Sequence, residues 1–393
     1  MRIGVDATCW QNTRGYGRHA RALLGALVNR DTKNRYTFFM DSDENAEHAT
    51  DLPAGVARRT IRAIRPTVLA ASANGHRSAQ DMLRMARAMS SPEFDLLFFP
   101  TIYSYVPVLT RAKKIVMIHD VIAEKYPDLA MKGRRVRLFW KTKVALGRWQ
   151  ADAIATVSDY SRRGLIEHFN MKPDQVHVIG EASDPVFRVL DNPTLTEKLR
   201  SLGLSEGDRT IVFVGGFSPH KNLEILVRKF AKISERPDFA DVRLVLVGEH
   251  GKEVFQTHAA AIKQIAFDLG LKDRIVFTGY LPDEEVVVLL NLATVCVLPS
   301  LIEGFGLPAV EAAASGCPVI ATGESPLPSL LGEGGIYFNP LQPDELEAAL
   351  IRVLESPELQ NKMSNAGRLA ASKLTWDAAA QQMMNLIEQV TAS

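Results

Sequence analysis

Short apolar runs rich in β-branched residues alternate along the chain with longer stretches whose apolar positions recur at helical spacing. A strand covered on both faces reads as such a run, and a helix lying over it shows one apolar stripe. In the first half the runs predict strands at residues 2–6, 36–40, 95–99, 114–119, 153–156 and 176–179, with helices at 17–29, 77–89, 134–148 and 161–168. In the second half strands are expected at 210–214, 242–247, 274–278, 294–298, 318–321 and 335–338. Helices are expected there at 223–233, 254–269, 283–292, 308–315 and 343–355, with a last one from Trp376 onward. This alternation predicts an α/β fold of βαβ units on parallel sheets. Pro185, Pro193, Gly203 and Gly207 cluster before a new strand opens, so a domain boundary is expected in that stretch.

Length agrees with two domains, since 393 residues can fill two cores without staples. A formal net charge of +1 supplies no field that would draw nucleic acid, and no nucleic-acid partner is expected. Cys9, Cys296 and Cys317 lie far apart and form no CxxC pair, so each reads as a small buried apolar residue. The opening MRIGVDAT runs straight into a strand, unlike a signal peptide, and no apolar run is long enough to cross a bilayer. A reducing, cytoplasmic setting is the expectation.

Ligands of open α/β sheets bind beyond the carboxyl ends of strands, so the residues after each run are the candidates. GGFSPHKN follows residues 210–214: Gly215 and Gly216 permit a tight turn, and His220 and Lys221 stand just before a helix, as a diphosphate site requires. PSLIEGFGLPAVEAAASG follows residues 294–298. There Pro308 suits a first helical turn and Gly316 a C-terminal cap. The amides of Phe305, Gly306 and Leu307 would then face an anion or sugar hydroxyls, with Glu303 before them and Glu311 one turn into the helix. His119-Asp120 ends another strand, and Gly15-Tyr16-Gly17 opens a helix after the first one. A plain glycine turn, a core histidine and a solvated lysine are the ordinary alternatives for the weaker three of these four places. No GxGxxG follows the first strand, which argues against a dinucleotide enzyme.

Together these segments resemble the retaining glycosyltransferases of family 4. EGFGLPAVE, as E-x7-E, is similar to that family's signature, and GGFSPHKN to its glycine–lysine loop. IHD at 118–120, RGYGRH at 14–19, GYLPDEEVVVLL from Gly279, DPVF at 184–187 and the tail around Trp376 also fit. The resemblance implies a GT-B architecture, with two Rossmann-like doubly wound domains facing across a cleft and a C-terminal helix crossing back. It implies domains at 1–186 plus 374–393 and at 187–373. Carried over residue by residue, Lys221 neutralises the donor diphosphate and Glu311 accepts from the ribose hydroxyls. Glu303 and the segment Gly304 to Leu307 contact the transferred sugar, and His119 bonds it near its C6 hydroxyl. Gly216 and His220 belong to the phosphate loop, Tyr280 and Leu281 border the base, and Gly15, Tyr16 and Gly17 close over the diphosphate or border the acceptor. Where many relatives place an arginine shortly before the lysine, this chain has Phe217 and His220; His220 could then supply a pH-dependent charge.

The activity so implied is transfer of a hexose from a nucleotide sugar to a glycan or lipid-linked hydroxyl in polysaccharide or glycolipid assembly. The acceptor attacks the same face the leaving group departs, and the departing phosphate takes its proton. Lysine and helix ends would stand in for a divalent cation, so no metal and no cofactor is expected. GDP-mannose is slightly favoured as donor, with UDP-hexoses next. The rivals are a non-catalytic scaffold of the same fold and another GT-B enzyme, such as a sugar-nucleotide epimerase or a phosphorylase. Residues 131–148 carry seven basic side chains and no acidic one, interleaved with Val136, Leu138, Phe139, Trp140 and Val144. Such a helix could sit peripherally on an anionic inner membrane face, or be a solvated helix packed by its apolar side. Residues 58–77 are expected to shape the acceptor side.

Overall fold

The computed structural model describes residues 1–392 apart from 13–14, 43–51, 65–66, 68–77, 132 and 249–257. The chain divides into two compact units, Met1–Glu181 with Thr375–Ser393, and Ala182–Leu374.

The first unit is built on a sheet of seven strands: β1 (Arg2–Asp6), β2 (Arg35–Ser42), β3 (Ala57–Arg62), β4 (Leu96–Phe99), β5 (Lys113–Met117), β6 (Ala153–Thr156) and β7 (Val176–Val178). Their order is β3-β2-β1-β4-β5-β6-β7 and every pairing is parallel. β4 and β6 are buried along their whole length, which is why they read as unbroken apolar runs. Phe39, Phe99, Tyr105, Val116 and Ile154 form the centre of one core cluster. The helix Trp376–Ala392 belongs to this unit and lies against the helix Gly15–Arg30. It buries Ala379, Ala380, Met383, Leu386, Ile387 and Val390, a spacing that makes one helical stripe. Its Gln382 Oε1 accepts from the Gly180 amide at 2.9 Å, so the end of the unit's main segment is tied to the returning helix.

The second unit repeats the plan with β8 (Arg209–Val214), β9 (Val242–Val247), β10 (Ile275–Gly279), β11 (Val295–Leu298), β12 (Val319–Thr322) and β13 (Gly335–Phe338). The order β10-β9-β8-β11-β12-β13 is again wholly parallel. The core gathers Phe213, Phe217, Phe230, Leu244, Leu246 and Ile320. Both sheets are thus Rossmann-like and doubly wound. Strand order reverses beside β1 and β8, which places ligand sites beyond the carboxyl ends of β1 and β4 and of β8 and β11.

Several elements depart from the sequence expectation. β3 falls where residues 58–77 were expected only to shape an acceptor side; it is a polar edge strand, and 65–66 and 68–77 lie outside the described residues. The helix expected at 77–89 is Ala79–Met89, and that expected at 254–269 is Ala259–Asp268, with 254–257 outside the described residues. The helices Pro357–Ala371, Glu197–Ser201, Leu327–Leu331, Ile122–Lys125 and Pro127–Ala130 were not foreseen. Among the described residues, no helix is long and apolar enough to cross a membrane. Cys9, Cys296 and Cys317 are free and buried, as the composition implied.

Candidate functional site

In the second unit, β8 is followed by Gly215, whose amide donates to the Val247 carbonyl at 3.0 Å. Gly248 follows β9 so closely that an added Cβ would stand 2.0 Å from the Gly215 carbonyl oxygen. Its own amide donates to Gly279, at the end of β10, at 3.0 Å. Three strand ends therefore form a floor of bare backbone at the sheet's carboxyl edge. Gly216 continues that floor. Gly248 carried no sequence motif, and only its position after a strand could have marked it.

The chain then turns through Pro219–Lys221, and Asn222, in the left-handed region at φ 54°, starts the helix Leu223–Ser234. Lys221 Nζ reaches Glu303 Oε1 at 2.7 Å, and Ser300 Oγ donates to the same oxygen at 2.5 Å. Burial alone would raise the Glu303 carboxyl; the charge of Lys221 and the two donors outweigh it and hold the group below the usual range. The backbone fixes both partners, since the Leu301 amide donates to His220 O at 2.8 Å and the Glu303 amide to Glu324 O at 3.0 Å. Burial pushes the His220 imidazole down to about 4, with Lys221 adding to the effect. His220 is thus neutral near neutral pH, and the pH-dependent charge foreseen for it appears only in acid.

Gly306 occupies the left-handed region at φ 86° and turns the chain into the helix Leu307–Ala314. Pro308 sits in the first turn, and Gly316, at φ 81°, ends the helix. The Gly316 amide donates to Ala313 O at 3.0 Å and the Cys317 amide to Ala312 O at 2.9 Å, the double closure of a Schellman cap. At the other end, no protein group among the described residues accepts from the amides of Phe305, Gly306 or Leu307. Phe305 and Gly306 are buried, and buried amides without acceptors are rare. Glu311 is buried inside this helix, with Cys296 close enough to feel its charge. Gly304 lies buried between Glu303 and these amides. At the edge, Tyr280 is exposed and Leu281 is buried.

In the first unit, Gly15 opens the helix Gly15–Arg30 with open space where a side chain would stand. Gly17 is different: a Cβ there would meet Asn12 O at 2.0 Å, so the loop after β1 closes onto the helix only because the residue is glycine. Arg14 lies outside the described residues. Tyr16 Oη accepts from Asn12 Nδ2 at 2.5 Å, and its ring lies 5.4 Å from that of Tyr103.

His119, just past β5, has Nε2 3.1 Å from Pro100 O. A carbonyl only accepts, so Nε2 carries the proton and Nδ1 of the neutral ring is a bare lone pair. Burial lowers the imidazole to about 4, helped by His19 and opposed by Glu181. That lone pair lies 3.9 Å from Glu181 Oε1, and His19 Nδ1 lies 2.6 Å from the same oxygen. His19, on the first helix, and Glu181, shortly after β7, were given no role from the sequence. Glu181 obeys the carboxyl-end rule but belongs to no recognisable motif. The triplet Asp41-Ser42-Asp43 has metal-binding D-x-D spacing, yet Asp41 accepts from the Thr67 amide at 2.8 Å and so serves the fold. Asp43 lies outside the described residues.

Comparison with known proteins gives one family match per unit. Residues 196–370 match the model "Glycosyl transferases group 1", and residues 13–185 match "Glycosyltransferase Family 4". A D-inositol 3-phosphate glycosyltransferase of Corynebacterium efficiens is 28% identical over 246 residues, 62% of this chain and 58% of that protein. An "MMP alpha-(1->4)-mannosyltransferase" of Mycolicibacterium hassiacum is 31% identical over 270 residues, 64% of this chain and 61% of the relative. The matches thus span about three fifths of these relatives' length. The structure of a sucrose-phosphate synthase from Thermosynechococcus elongatus superposes with TM-score 0.77 at 21% identity, covering 100% of this chain and 99% of that one. With both units matched in turn, and with E-x7-E set in a helix start whose amides stand open, the chain belongs to the family 4 glycosyltransferases of GT-B fold.

Proposed function

We propose that the protein is a retaining hexosyltransferase that takes its sugar from a nucleoside diphosphate sugar. The observation that carries this reading is the set of three amides at Phe305, Gly306 and Leu307 that donate to no protein group among the described residues, beside Lys221 and Glu303. As the donor bond breaks, negative charge gathers on the phosphate oxygens and positive charge on the anomeric carbon. Lys221 and the helix start meet the first charge, with fixed donors that need no rearrangement. This assigns the phosphate charge to protein groups, without a divalent cation there. Glu303 then exchanges its lysine for the sugar's hydroxyls, and Glu311 takes the ribose. His119 accepts a sugar hydroxyl at Nδ1. The glycine floor after β8 and β9 lets the diphosphate approach the backbone, and Tyr280 and Leu281 border the base. Gly15, Tyr16 and Gly17 serve the acceptor side.

A mannose donor is favoured, since one relative is named a mannosyltransferase, and GDP-mannose is the first donor to test. Each donor is incubated with and without candidate glycan or glycolipid acceptors, and nucleoside diphosphate release is followed. Release that needs an acceptor, with the anomeric configuration kept, supports the reading. An epimerase would change the donor without acceptor; a scaffold would release nothing from any donor.

The acceptor is proposed to be membrane-borne. In the helix Arg134–Gln150 only Val144 and Gly147 are buried, while Leu138, Phe139 and Trp149 are 67, 52 and 79% exposed among arginines and lysines. The alternative of a helix packed by its apolar side accounts poorly for that exposure. Basic residues draw an anionic surface and the exposed rings enter its interface. Co-sedimentation with vesicles containing anionic lipid, lost in neutral vesicles and weakened by salt, is the expected result; binding indifferent to lipid charge would overturn it.

A further inference from the structure

His19, His119 and Glu181 come from three separate places, the first helix, the end of β5 and the stretch after β7. One ligand atom from each lies within 4.8 Å of the others. His19 is 1% exposed, and among the described residues neither of its ring nitrogens makes a hydrogen bond. The 2.6 Å approach of Nδ1 to Glu181 is an ion-pair distance that does not reach hydrogen-bond geometry. The bare Nδ1 of His119 faces the same carboxylate. The Nδ1 lone pair of His119 and the Glu181 carboxylate face one another beside His19 Nδ1, and they repel unless a proton or a metal ion lies among the three groups.

We propose that His19, His119 and Glu181 form a binding site for a divalent transition-metal ion, with Zn2+ the best match. Two imidazoles and one carboxylate are a common zinc set, and three protein ligands leave a fourth position for water or a hydroxyl. The ring of His119 is already held by Pro100 through its other nitrogen, the kind of outer contact that fixes a ligating imidazole. The parallel sheet holds two of the three ligands at its carboxyl edge, so the site is formed without folding around the ion. The competing occupant is a proton shared by His19 and Glu181, and zinc must displace it. Bound zinc takes the nitrogen assigned above to a sugar hydroxyl, so it inhibits transfer. That second statement rests on the proposed function; the binding itself does not.

The test uses the full chain stripped of metal by a chelator and contains no sugar nucleotide. Zn2+ is titrated by calorimetry, and Co2+ is added separately while its visible spectrum is recorded. One tight Zn2+ per chain is expected, with intense cobalt bands of a low-coordinate nitrogen–oxygen site. Glu181→Gln and His19→Gln, checked for folding by circular dichroism, should each weaken Zn2+ by roughly tenfold or more, on the scale of losing a metal contact. If a variant does not fold, the cobalt spectrum of the unaltered protein decides. Pale octahedral cobalt, no Zn2+ uptake, or uptake that the two variants leave unchanged would each overturn the site. Inhibition of transfer by Zn2+ is a separate readout, and its absence alongside tight binding would count against the His119 sugar contact alone.

Discussion

In the Ala182–Leu374 unit the buried acid Glu303 has an ammonium at 2.7 Å and a hydroxyl at 2.5 Å. In the other unit the buried acid Glu181 has imidazoles beside it, one of them without a hydrogen bond among the described residues. The first arrangement is complete and must be opened by a ligand that offers more than it removes. The second is incomplete and gains by taking one in. Two sheets of the same winding thus present opposite electrostatic problems at equivalent edges, because the fold fixes where side chains emerge and leaves their charge to the sequence.

Removing the lysine should break this contrast most severely. Lys221→Ala leaves Glu303 buried without its cation, a change that costs about 3–5 kcal/mol. Turnover should fall by roughly 100-fold or more with the loss of a transition-state contact. Melting curves and nucleoside diphosphate release measure the two losses. The double variant Lys221→Met with Glu303→Gln should recover stability without recovering turnover; recovered turnover would mean that the charge plays no catalytic part.

The glycines of the first unit sharpen the comparison next. Gly17→Ala drives a Cβ against Asn12 O and should cost about 1–3 kcal/mol in denaturant unfolding. Gly15→Ala meets nothing and should leave stability within about 1 kcal/mol or raise it, as alanine in place of glycine does in a helix.

Protons should move the two units in opposite directions. Burial raises Glu124 to about 7 from 4.5, against the donation from Trp140 and with the charge of Asp120 adding to it. Folded protein keeps that proton where the unfolded chain releases it, so stability falls as pH rises from 4.5 to 7. His220, lowered from 6.5 to about 4, stays neutral where the unfolded chain takes a proton, so its contribution is lost as pH falls through that window. Each effect is on the order of 3 kcal/mol. Melting temperature against pH should lose the first slope in Glu124→Gln and the second in His220→Asn.

The smallest effect belongs to Ser300→Ala, which removes one donor from Glu303 but leaves Lys221 in place. A loss of about 1.5 kcal/mol is expected, the value of a hydrogen bond to a charged group. Turnover should change far less than in Lys221→Ala.

The parallel cores were legible because burial on both faces writes strands as apolar runs; β1, β6, β9 and β13 fall on the predicted residues. The edge strand β3, A-R-R-T-I-R, escaped because it has no such run. The helix Pro357–Ala371 escaped for another reason. It buries Met363, Gly367 and Ala371, and Gly367 meets Gly334 backbone to backbone, so small residues do the packing and leave little hydrophobic signal. At the site, Lys221, Glu303 and Glu311 were visible through glycine and proline punctuation around them. Glu181 belongs to no such motif, since its partners His19 and His119 come from other elements, and Ser300 lies inside PSLIEGFG but three residues from its partner, with nothing in the pattern to mark it. The tautomer of His119 depends on one carbonyl of Pro100, which no sequence pattern encodes.

Among the described residues the strand β3 hydrogen-bonds on one side only, to β2, and carries Arg58 and Arg62, with Arg59 between them paired to Glu93 at 2.9 Å. An open flank of this kind is an invitation for another chain to add a strand. Like charges carried along it make that addition self-repelling, so the arginines act as guards against fibril growth. Their protection is electrostatic and therefore weakest in concentrated salt, the condition in which this protein's shelf life should be shortest.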